Sequence, residues 1–193
     1  RHDRWVNGAA WNEDESFILT WSGNNVRTWD TVSGEERLRL SHGGDVDGAA
    51  WKEDESLIVT LRGSNVRVWD TVGGEERLRL SHEGVVGGAV WNEDESLILT
   101  WSDDGTARVW DADSGDECLR LNHDGLVNGA AWNGGESLIL TWSGDGTVRI
   151  WDATTGGILF TLTGDGTPVE LAQWSQDERQ IRLVTQGGFV GSF

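Results

Sequence analysis

Four histidines recur along the chain, and imidazole is the side chain most often used for metal binding and for proton transfer near neutral pH. They are His2, His42, His82 and His123, spaced 40, 40 and 41 residues apart. A metal site needs ligands that converge within a few ångströms. Histidines this far apart in a repeating chain belong to different copies of the repeat, so we expect no metal and no cofactor.

A threonine and an aspartate follow the later histidines, which raises a hydrolase triad as an alternative. Thr100 and Asp104 follow His82, and these are the residue types of a nucleophile, an orienting carboxylate and a general base. The sequence offers no oxyanion element beside them, and no Gly-x-x-x-x-Gly-Lys phosphate loop occurs. The same set of histidine, threonine and aspartate recurs along the chain, which favours a structural role over catalysis. We therefore predict that the chain is not an enzyme.

The elements that position these residues form a tandem repeat. Trp-Asp pairs share the period of the histidines and stand at Trp29-Asp30, Trp69-Asp70, Trp110-Asp111 and Trp151-Asp152. Two independent markers with one period indicate copies of a single supersecondary unit. In the third copy the apolar and polar pattern predicts four strands, at residues 86–91, 97–101, 106–110 and 117–121.

The residue types change in order across these four strands. The first strand is rich in Gly and Ala, which permit close approach of backbones, and the second is apolar on both faces. The fourth strand alternates leucine with charge, which is typical of an outer edge. A sheet that cannot bury both faces alone packs between copies of itself, and radial repetition about an axis achieves this.

With its histidine in the loop before each first strand and its closing Trp-Asp pair, the chain resembles the WD40 β-propeller family over essentially its whole length. The resemblance extends to bacterial proteins with nearly identical tandem blades. It implies one all-β propeller domain over residues 1–193, with four complete four-stranded blades and a three-stranded fifth. The expected blades are residues 1–41, 42–81, 82–122, 123–163 and 164–193.

The resemblance also implies a hydrogen-bonded set within each blade: the loop histidine, a threonine of the second strand, an aspartate of the next turn and the tryptophan of the third strand. The third and fourth repeats match the whole set, with His82, Thr100, Asp104, Trp110, His123, Thr141, Asp145 and Trp151. The first two repeats have turns one residue shorter and no matching aspartate. We expect these two blades to be less well braced, because a lost charged acceptor costs roughly 1.5–3 kcal/mol.

Five blades leave three possible assemblies: a closed five-blade ring, an open arc of a larger ring, or an arc completed by a second copy. Most rings of the resembled family have seven or more blades, and an open arc would expose apolar faces. We therefore expect a homodimer that completes a ring of about ten blades.

The charge of the chain limits its partners. The formal net charge of −18 argues against nucleic acid and against an anionic membrane, because both need clustered Lys and Arg. Acidic turns at residues 13–15, 53–55 and 93–95 form either a solvated face or a dock for a basic partner. The single cysteine, Cys118, forms no intrachain disulfide and suggests a reducing, cytoplasmic location; we expect it to be buried and inert.

The loops that lead into the first strands differ most between repeats. Just inside them stand Asn7, Asp47, Gly87 and Asn128. In the resembled family this face is the usual binding surface, so the resemblance implies a non-enzymatic scaffold that binds a protein or peptide there. The alternatives are a sensor module of a larger bacterial NTPase signalling protein and a recently amplified repeat array without a settled ligand.

Overall fold

The computed structural model describes residues 4–193, and all regular elements in this range are β-strands. The chain divides into two compact units, one ending at Ser81 and the other running from His82 to Phe193. Each unit is built of antiparallel sheets whose strands follow chain order. No helix able to cross a membrane is present in the described range.

The first unit contains two four-stranded sheets. The first sheet is β1 (Val6–Trp11), β2 (Phe17–Ser22), β3 (Asn25–Asp30) and β4 (Glu36–Ser41). The second sheet is β5 (Gly48–Trp51), β6 (Leu57–Arg62), β7 (Asn65–Asp70) and β8 (Glu76–Ser81).

The second unit contains two four-stranded sheets and one three-stranded sheet. The third sheet is β9 (Val86–Trp91), β10 (Leu97–Ser102), β11 (Thr106–Asp111) and β12 (Glu117–Asn122). The fourth is β13 (Val127–Trp132), β14 (Leu138–Ser143), β15 (Thr147–Asp152) and β16 (Ile158–Thr163). The fifth is β17 (Val169–Trp174), β18 (Ile181–Thr185) and β19 (Val190–Ser192). The predicted four complete sheets and three-stranded fifth are confirmed, and the third-repeat strands agree with their predicted positions to within one residue.

The aspartate of each Trp-Asp pair shapes the turn between the third and fourth strands. Asp30 Oδ1 accepts hydrogen bonds from the backbone N–H groups of Ser33 at 2.8 Å and Val32 at 3.1 Å. Gly34 follows with φ of 72°, a conformation that glycine adopts without steric cost. Asp70, Asp111 and Asp152 make the same pair of backbone contacts. The repeated pair therefore places its tryptophan on a strand and its aspartate at the start of a turn.

The cores lie between neighbouring sheets of each unit. In the first unit, Leu19 and Val26 of the first sheet pack with Ile58 of the second. In the second unit, β13 contacts both β9 and β17, so the first strands of the three sheets lie beside one another. The second strands carry fully buried residues, including Leu99 and Leu140 at 0% exposure. The predicted order of the strands, from a close-packed first strand to a covered second, agrees with this arrangement.

Tryptophans of the second strands cover glycines of the first strands. A Cβ added to Gly8 would overlap the indole of Trp21, and Gly88 and Gly129 stand in the same relation to Trp101 and Trp142. These indoles also pack against the neighbouring buried clusters. Only glycine leaves room for the indole to lie flat on the strand.

Two features of the outer strands differ from expectation. Cys118 on β12 is exposed, so the prediction of a buried cysteine is wrong; its side chain lies on the solvent face of an outer strand. β16 carries no charges and exposes Ile158, Leu159 and Phe160 at 51%, 47% and 64%.

Candidate functional site

The third sheet holds a set of polar side chains around one buried hydroxyl. Thr100 Oγ1 lies 2.7 Å from His82 Nε2 and accepts a hydrogen bond from Trp110 Nε1 at 2.8 Å. His82 Nδ1 lies 3.0 Å from Asp104 Oδ2. Because the Nδ1–H donates to the carboxylate, Nε2 accepts from the threonine hydroxyl. The structure thus brings together all four side chains that the sequence singles out in this repeat.

The fourth sheet repeats this geometry closely. His123 Nε2 lies 2.7 Å from Thr141 Oγ1, and His123 Nδ1 lies 3.1 Å from Asp145 Oδ2. Trp151 Nε1 donates to Thr141 Oγ1 at 2.8 Å. Two copies with the same distances indicate that the repeat sequence determines the arrangement.

A second threonine, which sequence reasoning missed, fixes each aspartate. Thr106 donates to Asp104 Oδ1 through its backbone N–H at 2.9 Å and through its hydroxyl at 2.6 Å. Burial opposes ionisation, but these bonds and one from the Glu83 N–H hold the pKa of Asp104 well below its usual range. Thr147 plays the same part in the fourth sheet, where the pKa of Asp145 is about 2 despite burial. The signal in the sequence was the Asp-Gly-Thr spacing, which is typical of a local side-chain-to-backbone turn.

Burial disfavours the charged form of these histidines. Burial lowers the pKa of His82 and of His123, although Asp104 and Asp145 act in the opposite direction. A neutral imidazole with a fixed tautomer could in principle serve as a general base. Thr100, however, has no exposed surface, and its hydroxyl already contacts both His82 and Trp110. A substrate carbonyl cannot reach this oxygen, so the arrangement is suited to holding strands together rather than to nucleophilic attack.

The second sheet keeps the histidine but lacks the carboxylate. His42 is 4% exposed, and neither ring nitrogen has a hydrogen-bond partner among residues 4–193. Trp69 Nε1 still donates to Thr60 Oγ1 at 2.8 Å. The His42 and Trp69 ring centroids are 5.1 Å apart, against 6.0 Å for the corresponding pairs of the third and fourth sheets. Burial, and then the charges of Arg67 and Arg62, lower the pKa of His42 to about 4.

Within residues 4–193, the first sheet shows the bond of the set from Trp29 Nε1 to Thr20 Oγ1 at 2.8 Å. His2, its predicted histidine, lies outside the described residues. That the first two sheets are less well braced stays a prediction.

Arginines of the third strands pair across to outer-strand glutamates in three sheets. The pairs are Arg27–Glu36 at 3.6 Å, Arg67–Glu76 at 3.4 Å and Arg108–Glu117 at 3.3 Å. Arg149 differs because Ile158 stands where the glutamate is due; it lies 3.5 Å from both Asp124 and Asp145. Each of the first three guanidiniums also lies over its own sheet's tryptophan, within 5.9 Å of the ring centroid. These arginines therefore belong to the packing of the sheets.

The acidic turns contribute contacts between sheets that the sequence did not suggest. Glu55 Oε1 accepts a hydrogen bond at 2.9 Å from Asn12 Nδ2 of the preceding sheet, and Glu136 Oε2 accepts one at 3.2 Å from Asn92 Nδ2. Glu178 contacts Asn133 in the same way at 3.2 Å. These glutamates have φ of 62°, 52° and 56°, a left-handed conformation that is uncommon for residues with a side chain. Part of the acidic face therefore links neighbouring sheets.

The four predicted binding-face positions lie at the starts of the first strands, and all are exposed. Asn7 Nδ2 donates to Val46 O at 3.5 Å, and Asn128 Nδ2 donates to Val169 O at 2.7 Å. Asp47 Oδ2 accepts from the backbone N–H of Gly63 at 2.8 Å. Gly87 stands against the edge of the Trp101 indole. The two asparagines thus link one sheet to the next while presenting their remaining amide atoms to solvent.

Asn128, one of these four positions, lines a cleft between the fourth and fifth sheets. The cleft has a volume of about 550 Å³. Its lining residues are Gly125, Leu126, Asn128, Gly144, Pro168, Glu170 and Gln186. Leu126 is 43% exposed and supplies an apolar wall, while Glu170 and Gln186 supply exposed polar groups. The cleft, unlike the buried networks, offers groups that a ligand can reach.

Within residues 4–193, no group of three or more His, Cys, Asp or Glu side chains is arranged to hold a metal ion. The aspartates of the two networks are already occupied by histidine, threonine and backbone donors.

Comparison with known proteins agrees with the architecture. Residues 74–111 and 116–152 match the family described as WD domain, G-beta repeat. The crystal structure of the computationally designed Ika8 protein is similar, with a TM-score of 0.82 and 20% sequence identity. The match covers 100% of this chain but only 59% of that one, and at this identity it shows the fold alone. No curated protein matches the sequence significantly.

Proposed function

Because the chain carries WD40 repeats, which typically form binding scaffolds, we propose that it is a non-enzymatic scaffold for a protein or peptide. The observation that carries this proposal is the contrast between the two kinds of polar site. The histidine and threonine networks are buried and internally satisfied, whereas the cleft between the fourth and fifth sheets presents exposed side chains from several loops. Binding is assigned to the cleft.

The preferred ligand is a basic segment with an apolar side chain. Glu170 contributes a carboxylate to the cleft, and Leu126 with Pro168 contributes an apolar surface. The net charge of −18 attracts cationic segments and repels anionic ones over several ångströms. A lysine or arginine beside a hydrophobic residue fits this combination.

A displayed library of random peptides, selected on the immobilised chain, tests the proposal. We expect the selected peptides to be basic, and we expect Glu170→Lys or Asn128→Ala to weaken their binding at least several-fold. Glu75→Lys is the matched control, because Glu75 is an exposed glutamate that does not line the cleft. Added salt should weaken binding of the same peptides, since charge contributes to it. Peptides that bind equally to all three variants would overturn the assignment to the cleft.

We also propose that two copies of the chain associate. The supporting observation is apolar exposure in the second unit: Phe160 on β16 is 64% exposed, Val190 on β19 is 73% exposed and Phe193 is 48% exposed. Apolar patches of this kind are typical of interaction surfaces. Light scattering should give a mass of twice 21.2 kDa, and Phe160→Glu should reduce it to that of one chain. A single-chain mass at all concentrations would refute the association without affecting the cleft.

A further inference from the structure

The second sheet keeps the cationic groups of the repeat's polar network and has lost two of its carboxylates. In the third sheet, Arg108 pairs with three carboxylates, those of Asp104, Glu83 and Glu117. The second sheet keeps the last of these as Glu76, which pairs with Arg67. In the second sheet, Gly43 occupies the place of Glu83, and the two-residue turn of Gly63 and Ser64 supplies no aspartate. The groups that would face these carboxylates are still present.

Four donors of the second sheet are available to a carboxylate. His42 is buried with both ring nitrogens unpartnered, and Arg67 has a buried Nε without a partner among residues 4–193. The Arg62 side chain lies so close to Gly44 that a Cβ there would overlap its guanidinium, and Arg62 makes no ion pair within the described chain. The Gly43 N–H corresponds to the Glu83 N–H that donates to Asp104 in the third sheet. A buried donor without an acceptor lowers the stability of the fold, so an acceptor that binds here would be stabilising.

Open space lies beside two glycines of this region, Gly43 and Gly63. A Cβ built on Gly43 or on Gly63 would meet no atom within 4 Å. Gly84 is the equivalent of Gly44 in the third sheet, and a Cβ there would lie 2.6 Å from the backbone nitrogen of Asp104, whereas a Cβ on Gly44 would overlap the Arg62 guanidinium. In the second sheet the Arg62 guanidinium therefore takes the place beside this glycine that the longer turn of the third sheet gives to the Asp104 backbone.

The local charge also favours an anion. Arg62, Arg67 and Arg79 act on His42 as positive neighbours, and Glu76 is the one negative neighbour among its main electrostatic contacts. Glu76 is itself shared between Arg67 at 3.4 Å and Arg79 at 2.7 Å. A locally positive site is unusual in a protein whose net charge is −18.

We propose that the second sheet binds a carboxylate anion between His42, Arg62, Arg67 and the Gly43 backbone. One carboxylate oxygen accepts from His42 and the Gly43 N–H, as Asp104 Oδ2 accepts from His82 and the Glu83 N–H. The other oxygen faces the guanidiniums of Arg62 and Arg67, for which a planar carboxylate is the natural partner. The site takes either a small free carboxylate or the side chain of an aspartate on a partner chain.

Histidine resonances in nuclear magnetic resonance spectra of the whole chain test the site. Formate is the first probe, and N-acetyl-aspartate N-methylamide is the second, since it carries the same group on a peptide-like frame. We expect formate in the millimolar range to shift the His42 ring signals saturably and to raise the apparent pKa of His42. His82 and His123 are controls within the same molecule, because each already contacts an aspartate and should not respond.

Two variants make the test specific. Arg62→Gln should weaken formate binding at least several-fold while the His82 and His123 signals report an intact fold. Replacement of Gly63 and Ser64 by the Asp-Asp-Gly turn of the third sheet should abolish the response, because the chain would then supply its own carboxylate. Binding of both probes identifies a site open to a partner's aspartate, and binding of formate alone identifies a site for a small anion. The proposal is overturned if His42 shows no saturable shift, or if all three histidines shift alike.

Discussion

At the scale of residues, the polar set is organised around a threonine hydroxyl. Thr100 and Thr141 each connect a histidine to a tryptophan, and both are fully buried. At Thr60 the tryptophan bond remains without a histidine bond, because His42 has no carboxylate to orient it. The second-strand threonine therefore makes one additional hydrogen bond, to the histidine, in the two sheets that keep an aspartate.

This difference predicts unequal costs for one substitution. Thr100→Val should lower the free energy of unfolding by about 2–4 kcal/mol, because His82 and Trp110 both lose a buried partner, whereas Thr60→Val should cost about 1–2 kcal/mol. Urea unfolding followed by tryptophan fluorescence measures both. Equal costs would mean that the histidine bond adds nothing to stability.

The buried histidines also predict how stability depends on pH. The folded-state pKa of His42 is about 4, below the ordinary value of 6.5, and those of His82 and His123 are lowered as well. As pH falls, the unfolded chain binds protons first, so the stabilisation is complete above about pH 6.5 and is lost as pH falls toward about 4. We expect the unfolding free energy to fall between about pH 7 and about pH 5, and to fall less in His42→Gln. A variant with the same slope as the parent would show that His42 is not held neutral by the fold.

The sequence predicted which residues meet, but it did not predict what His42 does without its aspartate. Spacing and residue type were enough to pair His82 with Thr100 and Asp104. The position of His42 against Trp69 depends on a missing group, and a pattern that identifies partners cannot show where a side chain goes when a partner is absent.

At the scale of elements, the strands are fitted to one another by small residues opposite large ones. Gly8 leaves room for the Trp21 indole, whereas Gly48 faces the smaller Leu61, whose nearest atom would lie 3.3 Å from an added Cβ. Gly8→Ala should therefore cost about 1–3 kcal/mol through overpacking, and Gly48→Ala should be close to neutral. Both glycines lie in the first unit, so one urea transition compares them. A neutral Gly8→Ala would mean that the indole is free to move away from the strand.

The glutamate contacts between sheets give a second prediction at this scale. Glu55→Ala removes the one acceptor of Asn12 Nδ2 that lies on the neighbouring sheet, while Asp14 and Ser16 still accept from it, so the cost should be about 0.5–1 kcal/mol. Glu15→Ala is the control, because Glu15 has nearly the same backbone conformation, with φ of 59° against 62°, and belongs to the first sheet, which has no preceding sheet within residues 4–193 for its carboxylate to contact. Thermal unfolding measures the melting temperature of both variants. An equal decrease in the two would disprove the link between sheets.

Periodicity alone predicted the strands, because alternation of apolar residues and turn glycines acts locally. The links between sheets were not predictable in this way. Glu53 and Glu55 are identical in type and lie two residues apart in one acidic turn, yet it is Glu55 whose carboxylate accepts from Asn12. The backbone geometry of the turn, with φ of 62° at Glu55, decides which carboxylate points toward the preceding sheet, and residue type does not reveal that geometry.

At the scale of the whole molecule, the chain combines a strongly acidic surface with tryptophan-rich sheets. The net charge of −18 follows directly from the composition, and it favours a basic ligand. The cleft could not be predicted from the sequence, because Asn128 comes from the fourth repeat and Pro168 and Gln186 come from the fifth, and they meet only when the fourth and fifth sheets pack. The proposed binding site therefore depends on the packing of repeats, whereas the fold of each repeat follows from its own sequence.

The central claim is that the buried networks support the fold and that the cleft binds the ligand. The most direct test measures two quantities, the affinity for a library-selected peptide and the free energy of unfolding, on Thr100→Val and Glu170→Lys side by side. We predict that Thr100→Val lowers the unfolding free energy and leaves the affinity unchanged, and that Glu170→Lys lowers the affinity and leaves the unfolding free energy unchanged. Loss of affinity in a folded Thr100→Val variant, with normal binding by Glu170→Lys, would contradict the account.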